Sequence, residues 1–538
     1  MNKNIEELLK QNPDLAAYIS KMDRTINDLD EKAKTVANEN ATLSNENKAL
    51  KQQVDTLQFT LAKFTRNIFG TRSEKATTEE ETRNLFNFNE AEANKNLNAA
   101  EPTMVKVVKK RKAKTTRAAQ LRNLESREVI YDLEESEKTC EVCDSHLLAT
   151  GSKTRETIEV IKKAIKVMET SITYKCPVCE DFHKKAMPEL PLPGGIATPS
   201  LLAQVIVDKT ANALPLYRQS EDYKRLGLTL SRQTLSNWMI KSSAQLEILF
   251  DKMKRDLLKR NILHADETSV QVLKESGRKA SQKSYMWTYV SSRYDAPIVL
   301  YEYTPTRAGK NPALFLEDFK GYLHVDAYKG YNLVKDISPV YCMAHLRRKF
   351  FDVYESLPKD TRDETNTGQA FHYCNTLYDL DRESRGYDVD KRKAHKDEHI
   401  KPVMEAFKAW LEERQLTRAQ GSAYGKAIDY AVNTMPSIMT YLEDGRLDID
   451  NNRAERAIKP FVMGRKNWLF SNTPNGAQSS AILYSIVQTC LLNEINPYKY
   501  LAHVLHLLAN TKINKLDLDA ITPYSPAMIE QFKMSKEQ

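Results

Sequence analysis

Apolar residues recur at heptad intervals near the start of the chain. Met22, Leu29, Val36, Leu43, Leu50, Leu57 and Phe64 hold one seam position, and Ile26, Ala33, Asn40, Asn47, Val54 and Leu61 hold the other. Charged and amide residues fill the rest, and no Pro or Gly interrupts Asp14 to Phe69. Such a stripe is buried only against another helix, so residues 14–69 predict a leucine-zipper-like coiled coil joining two copies of the chain. The alternative is a single amphipathic helix packed on its own domain. Asn40 and Asn47 in the seam favour a paired register over larger bundles. Over residues 70–128 the periodicity vanishes. An acidic run at Glu79–Glu81 gives way to Asn and Ala, then to the basic Lys109, Lys110, Arg111, Lys112 and Lys114. This reads as a flexible linker whose basic cluster is either a solvated run or an arm that contacts phosphates.

Short β-type runs at 157–161 and 170–174 lie between two C-x-x-C pairs. From Pro199 to Leu258 the pattern turns helical, with a stop at Gly227 and an N-cap at Ser231. In the third helix Leu235, Trp238 and Met239 would face inward. Arg232, Gln233, Ser236 and Asn237 would face outward, and these side-chain types read base edges in a major groove. Residues 199–258 are therefore a helix-turn-helix-like candidate, with an ordinary three-helix packing unit as the alternative. From Asn261 the period changes again. Three strands (262–272, 285–291, 297–303), a helix near 311–319, a strand ending at Asp326 and a further strand at 340–343 give a βββαβ order. That is the order of a ribonuclease-H-like core, in which the first and fourth strands are neighbours. A helical, charged stretch at about 352–445 reads as an insertion into a domain spanning 259–475.

Composition narrows the class. The 538 residues carry 80 Lys+Arg against 72 Asp+Glu, a formal +8, so where charge clusters matters more than its total. No signal-peptide pattern and no long apolar window occurs, which predicts a cytoplasmic protein with no membrane partner, nucleoid-associated when on DNA. Of seven cysteines, Cys140, Cys143, Cys176 and Cys179 form the two C-x-x-C pairs. Four thiolates presented from two tight turns suit a closed, structural Zn²⁺ site, making residues 129–190 a zinc ribbon; redox use of the pairs is the rival reading.

Three acids stand out in different settings. Asp266 and Asp326 each end an apolar, strand-like run, and Glu455 lies one turn into a helix that opens Asp450-Asn451-Asn452. Carboxylates at strand ends beside one on a helix can form an all-oxygen cage for two divalent cations, with Mg²⁺ or Mn²⁺ the ions that hard oxygen ligands suit. Arg456 and Lys459 on the same helix are candidates for phosphate contact, and Lys459 also for orienting Glu455. His345, Arg347, Arg348 and Lys349 open another helix just past a strand. They are either phosphate contacts or a solvated basic face.

Several strings in the chain resemble the IS66 family of insertion-sequence transposases. They are Ile68–Lys75, the double C-x-x-C ribbon, His264–Thr268, Cys342–Phe350, Asp450–Arg456, Gly464–Phe470 and a terminal helical stretch, Tyr484–Leu505, within 480–520. The resemblance covers most of the chain in order. It implies a multidomain α+β protein with DDE chemistry: metal-dependent cleavage at element ends, then attack of the freed 3′-hydroxyl on target DNA. It also implies two small accessory proteins from the same element. A dimeric DNA-binding regulator would explain the first 260 residues but not Asp266, Asp326 and Glu455. A degenerate transposase kept as a binding protein is the other rival.

Overall fold

The computed structural model describes residues 163–175, 177 and 182–534, residue 138, and near the start residues 17, 20–22, 24–40, 42, 43, 46 and 54. The remainder of the heptad stretch, the basic linker and the cysteines Cys140, Cys143, Cys176 and Cys179 lie outside these described residues. Residues 24–40 are helical, and Met22, Ile26, Leu29 and Val36 are exposed, Leu29 at 60%. No described helix is long and apolar enough to cross a membrane.

A short antiparallel hairpin, Thr173–Lys175 (β1) with Phe182–Lys184 (β2), comes first. Three helices follow: Pro199–Thr210 (α1), Leu216–Arg225 (α2) and Arg232–Leu258 (α3). Their boundaries are local chemistry. Thr198 accepts from the Leu201 amide and Ser231 from the Thr234 amide, each supplying an acceptor that a helix start lacks. Gly227, at φ 79°, ends α2 in the left-handed region. Helix α3 continues for 27 residues, well past the short segment the capping pattern marks, because its buried stripe carries on through Leu246, Leu249, Phe250, Met253 and Leu257.

The strands Ile262–Gln271 (β3), Lys283–Ser291 (β4) and Val299–Thr304 (β5) come next, then Lys310–Phe315 (α4), Gly321–Val325 (β6) and Ile337–Tyr341 (β7). Helices Met343–Tyr354 (α5), Asn366–Glu383 (α6), Val389–His395 (α7), Lys401–Thr417 (α8) and Ala423–Met439 (α9) form a long helical run, with π-helical Lys396–Ile400 joining α7 to α8. The described chain ends in Asn452–Trp468 (α10), Pro474–Leu492 (α11), Pro497–Asn510 (α12) and Pro526–Phe532 (α13). The protein is thus mixed α+β with helix predominating.

The chain divides into two compact units. One holds the described residues of Met1–Ala99, with Tyr322–Tyr328 and Ser338–Asn452. In it β6 and β7 are neighbours running parallel, since Cys342 N–H donates to Val325 O just beyond their ends (3.1 Å). Helices α5, α6, α8 and α9 bury Leu346, Phe350, Leu377, Phe407, Leu411 and Ile428 completely.

The other unit holds the described residues of Ala100–Gly321, with Lys329–Ile337 and the described residues from Arg453 onward. Its strands form the antiparallel meander β5-β4-β3. One face, carrying Val270, Val272, Met286, Val290, Val299 and Tyr301, packs against Ala454 and Phe461 of α10 and Ala477, Ala481 and Tyr484 of α11. Helix α11 is buried almost all round from Ala477 to Cys490, so apolar and polar residues such as Ser479, Ser485 and Thr489 share its buried surface rather than dividing into two faces. Two of its polar side chains, Ser485 and Thr489, close the sheet edge. The Val299 amide donates to Thr489 Oγ1 (3.1 Å) and the Tyr301 amide to Ser485 Oγ (2.8 Å). An edge strand ordinarily presents such donors to solvent or to another chain. Here a helix satisfies them.

Candidate active site

Strand β3 sends alternate side chains to opposite faces, and this separates two adjacent acids. Glu267 points away from α10. It accepts from Arg307 Nε (2.8 Å) and Tyr331 Oη (2.8 Å), so its charge is already neutralised within the fold. Asp266 shares the face of Thr268 and Val270, which is the face α10 covers. In the register Asp266 sits opposite Thr288, and Thr288 opposite Tyr301, giving one row across three strands. At the far end of that row the Tyr301 hydroxyl donates to the Ala457 carbonyl of α10.

Two further contacts fix the course of α10. Near its start Arg453 Nε donates to Ser291 O (2.5 Å), and Ser291 is paired with Leu263. Near its end Arg465 Nη1 donates to Thr268 Oγ1 (3.0 Å) and to Ser269 O. The 12 residues from 453 to 465 rise about 18 Å and the six strand residues from 263 to 269 about 20 Å, so helix and strand advance together. Close approach of α10 to α11 depends on Gly464. A Cβ there would lie 2.2 Å from Tyr484 Oη. Glu455, half-buried, lies in the first turn of α10 beside the buried Ala454 and Ile458. One turn on, burial and then Arg456 pull the Lys459 ammonium below its ordinary range, while Glu455 opposes them. Lys459 and Glu455 thus feel one another. Arg456 is exposed.

In the other unit Asp326 follows β6 directly and accepts the Tyr328 amide (2.9 Å). Burial chiefly, and then the Asp326 charge, raises the Tyr341 hydroxyl; Tyr430 is raised by burial, then Cys342 and Asp326. The buried Cys342 links this strand end to the lead-in of α10. Its N–H donates to Val325 O (3.1 Å), and its Sγ accepts the Asn451 amide (3.2 Å). Met343 N–H also donates to Ile449 O (3.1 Å). Asp450, expected as the helix cap, accepts the Asn452 amide from one residue further out (3.0 Å).

The candidate DNA-contact residues fall in different settings. At the start of α3, Arg232, Gln233 and Asn237 are exposed and Ser236 is half-buried, with Gln233 Nε2 donating to Asn237 Oδ1 (3.0 Å). On α5, His345 and Arg348 are half-buried, and the exposed Lys349 lies 5.4 Å from the Tyr430 ring centre. Arg347 is drawn into its own unit. Its Nε donates to Asn375 Oδ1 (3.0 Å) and its guanidinium covers Phe371 at 4.5 Å.

Sequence reasoning missed a buried ionic cluster around Arg392 and Lys396. Both lie in the helical, charged stretch read as an insertion, and periodicity gives no sign that two of its charges point inward. It also missed Arg307 and Tyr331 as the partners that occupy Glu267. They are 40 and 64 residues away, and no local pattern links them.

Residues 194–479 match the family described as "Transposase IS66 family", residues 485–523 the "IS66 C-terminal element", and residues 56–129 "Transposase C of IS166 homeodomain". Among curated relatives, the uncharacterized protein y4hP of Sinorhizobium fredii is 30% identical over 400 residues, covering 70% of this chain and 72% of its own. The uncharacterized protein y4qI of the same organism is 28% identical over 494 residues, 88% of this chain and 89% of its own.

Proposed function

Because the chain belongs to the IS66 family of transposases, we propose that it cuts DNA at the ends of an insertion sequence and joins the freed strand to a target, using Asp266, Asp326 and Glu455 as one metal-holding set. The observation that carries this reading is the course of α10. The helix bearing Glu455 crosses the sheet face that bears Asp266, and its lead-in is tied through Cys342 to the strand end that bears Asp326.

The donor set fits the ions. Three carboxylates offer hard oxygens of the kind Mg²⁺ and Mn²⁺ prefer, and brought together without cations they would repel. Two such ions, when bound, supply activation of the attacking hydroxyl and stabilisation of the leaving oxygen. The protein's own part is orientation. Glu267 is held out of the set by Arg307 and Tyr331, Lys459 bears on Glu455, and the exposed cations Arg456 and Lys349 are available to phosphates. Arg232, Gln233, Ser236 and Asn237 are proposed to meet DNA at the start of α3, together with His345 and Arg348 on α5. Arg347, already engaged, is the weakest of that group. Zn²⁺ held by Cys140, Cys143, Cys176 and Cys179, and pairing through residues 14–69, complete the proposal.

The test is strand transfer on DNA carrying the element's end, with Asp266→Asn, Asp326→Asn and Glu455→Gln. Several kcal/mol of transition-state stabilisation should vanish, a loss on the order of 10³-fold or more, with end binding retained. Mg²⁺-dependent transfer at wild-type rate by any one of the three variants would remove that residue from the set.

A further inference from the structure

Arg392 and Lys396, one turn apart where α7 meets the π-helical turn, are almost wholly buried at 1% and 0% exposure. They converge on one loop. Lys396 Nζ donates to the carbonyls of Tyr441 (2.9 Å), Asp444 (2.8 Å) and Leu447 (3.0 Å) and lies 3.7 Å from the centre of the Tyr441 ring. Arg392 Nη1 donates to Gly445 O (3.0 Å). Its Nη2 donates to Asp381 Oδ1 (2.9 Å) and lies 3.7 Å from Asp448 Oδ1. The Tyr441 hydroxyl donates to the same Asp381 oxygen (2.7 Å). Four carbonyls between 441 and 447 are thus captured by two basic side chains. Gly445 allows the approach, since a Cβ on it would lie 2.1 Å from Val389 O.

The loop does not end the chain of constraints. Beyond Asp448, Ile449 accepts from Met343 and Asn451 donates to Cys342, and three residues after Asn452 comes Glu455. Burying two basic side chains is costly, since burial draws the Lys396 amine down to about 6 and Arg392 Nε finds no partner, and apolar residues would fill the same space at no such cost. A π-helical turn, here joining α7 to α8, is likewise a feature frequent at functional sites. Both observations concern where the loop is held rather than whether the helices pack.

We propose that Arg392 and Lys396 are positioning residues for Glu455: the helical run acts as a brace that fixes the 441–452 segment, and so sets where the metal-holding carboxylate of α10 stands. The inference rests on the assignment of Glu455 proposed above. It predicts an effect on metal affinity, because residues behind a ligand set its aim without touching the ion.

Mn²⁺ binding to the full-length protein, followed by the loss of the free-ion electron paramagnetic resonance signal, is the measurement. Lys396→Met should weaken the Glu455-dependent Mn²⁺ sites by about tenfold or more, the scale on which residues behind metal ligands act. Gly445→Ala, which leaves every charge in place and displaces the loop, should do the same and decides the matter if Lys396→Met fails to fold. Leu411→Ala, a fully buried change on α8 that touches none of the loop's hydrogen bonds, should leave Mn²⁺ binding unchanged at a temperature where it is folded. Wild-type Mn²⁺ affinity in Lys396→Met and Gly445→Ala, or an equal loss in Leu411→Ala, would overturn the brace. Glu455→Gln separates the two claims. If it binds Mn²⁺ like the wild type, the assignment of Glu455 falls and the brace with it. If it loses binding while Lys396→Met and Gly445→Ala keep theirs, the brace alone is wrong.

Discussion

Glu302 and Glu267 sit in one row of the sheet, across Trp287, yet their charges are treated differently. Glu267 has Arg307. Glu302 has only the Tyr289 hydroxyl, which donates to it at 3.1 Å, and the more distant Lys254. Burial therefore dominates and pushes the Glu302 carboxyl from its ordinary 4.5 up to about 7. The folded chain then binds more protons than the unfolded one between those values, so this residue's contribution to stability falls as pH rises through the window. Glu302→Gln keeps an acceptor for Tyr289 and removes the charge. It should stabilise the protein by about 1 kcal/mol at pH 8, a single pKa unit's worth after allowing for partial exposure, and by nothing near pH 4.5. Thermal melts of both proteins at the two pH values check this. An equal difference at both would mean that the gain is not electrostatic.

Among the elements, α11 ties the helices to the sheet by borrowing two edge-strand donors. Thr489→Val with Ser485→Ala keeps the shape and strands the Val299 and Tyr301 amides in the core. A cost of about 1–3 kcal/mol for each is expected from the penalty of an unpaired buried amide. Urea unfolding should show the loss without a change in the denaturant slope; a double variant as stable as wild type would show that water reaches the edge. The elements were largely legible in the sequence. The cap at Ser231, the stop at Gly227 and the position of Glu455 in the first turn of α10 are local chemistry, and local chemistry can be read from neighbours along the chain. Asp326, just past β6, and Glu455, in the first turn of α10, stand at element ends, whereas Asp266 lies inside β3, which runs on to Gln271 beyond the apolar run that the sequence shows. The inward turn of Arg392 and Lys396 was not legible, because a charged helix face and a buried ionic cluster are written in the same residues. The 27-residue length of α3 escaped for a related reason, since its stripe is completed by packing that no short window contains.

Over the whole molecule, the exposed heptad stripe in the described N-terminal helix is the feature with no counterpart in either compact unit's core. If residues 14–69 pair two chains, a protein beginning near Thr71 should sediment as a smaller assembly than the full chain. It should also bind single element ends more weakly through lost avidity, by about 10²-fold or more. Equal sedimentation of the two would rule out the zipper. The ribbon carries a separate expectation. Cys140→Ser or Cys176→Ser should release one Zn²⁺ per chain, measured by elemental analysis, because a four-thiolate site does not survive the loss of one ligand.

The closure of β5 by α11 also sets a schedule for synthesis. Thr489 follows Val299 by 190 residues, so at about 5–20 residues per second the ribosome leaves that edge open for about 10–40 s. During that interval the nascent chain offers an unpaired strand to any neighbour, including another copy on the same messenger. A product terminated before residue 474 never closes it and should be recovered as aggregate rather than as a working fragment. A chain interrupted there already contains Asp266, Asp326 and Glu455, so its loss to aggregation would keep a fragment bearing all three acids from accumulating in solution.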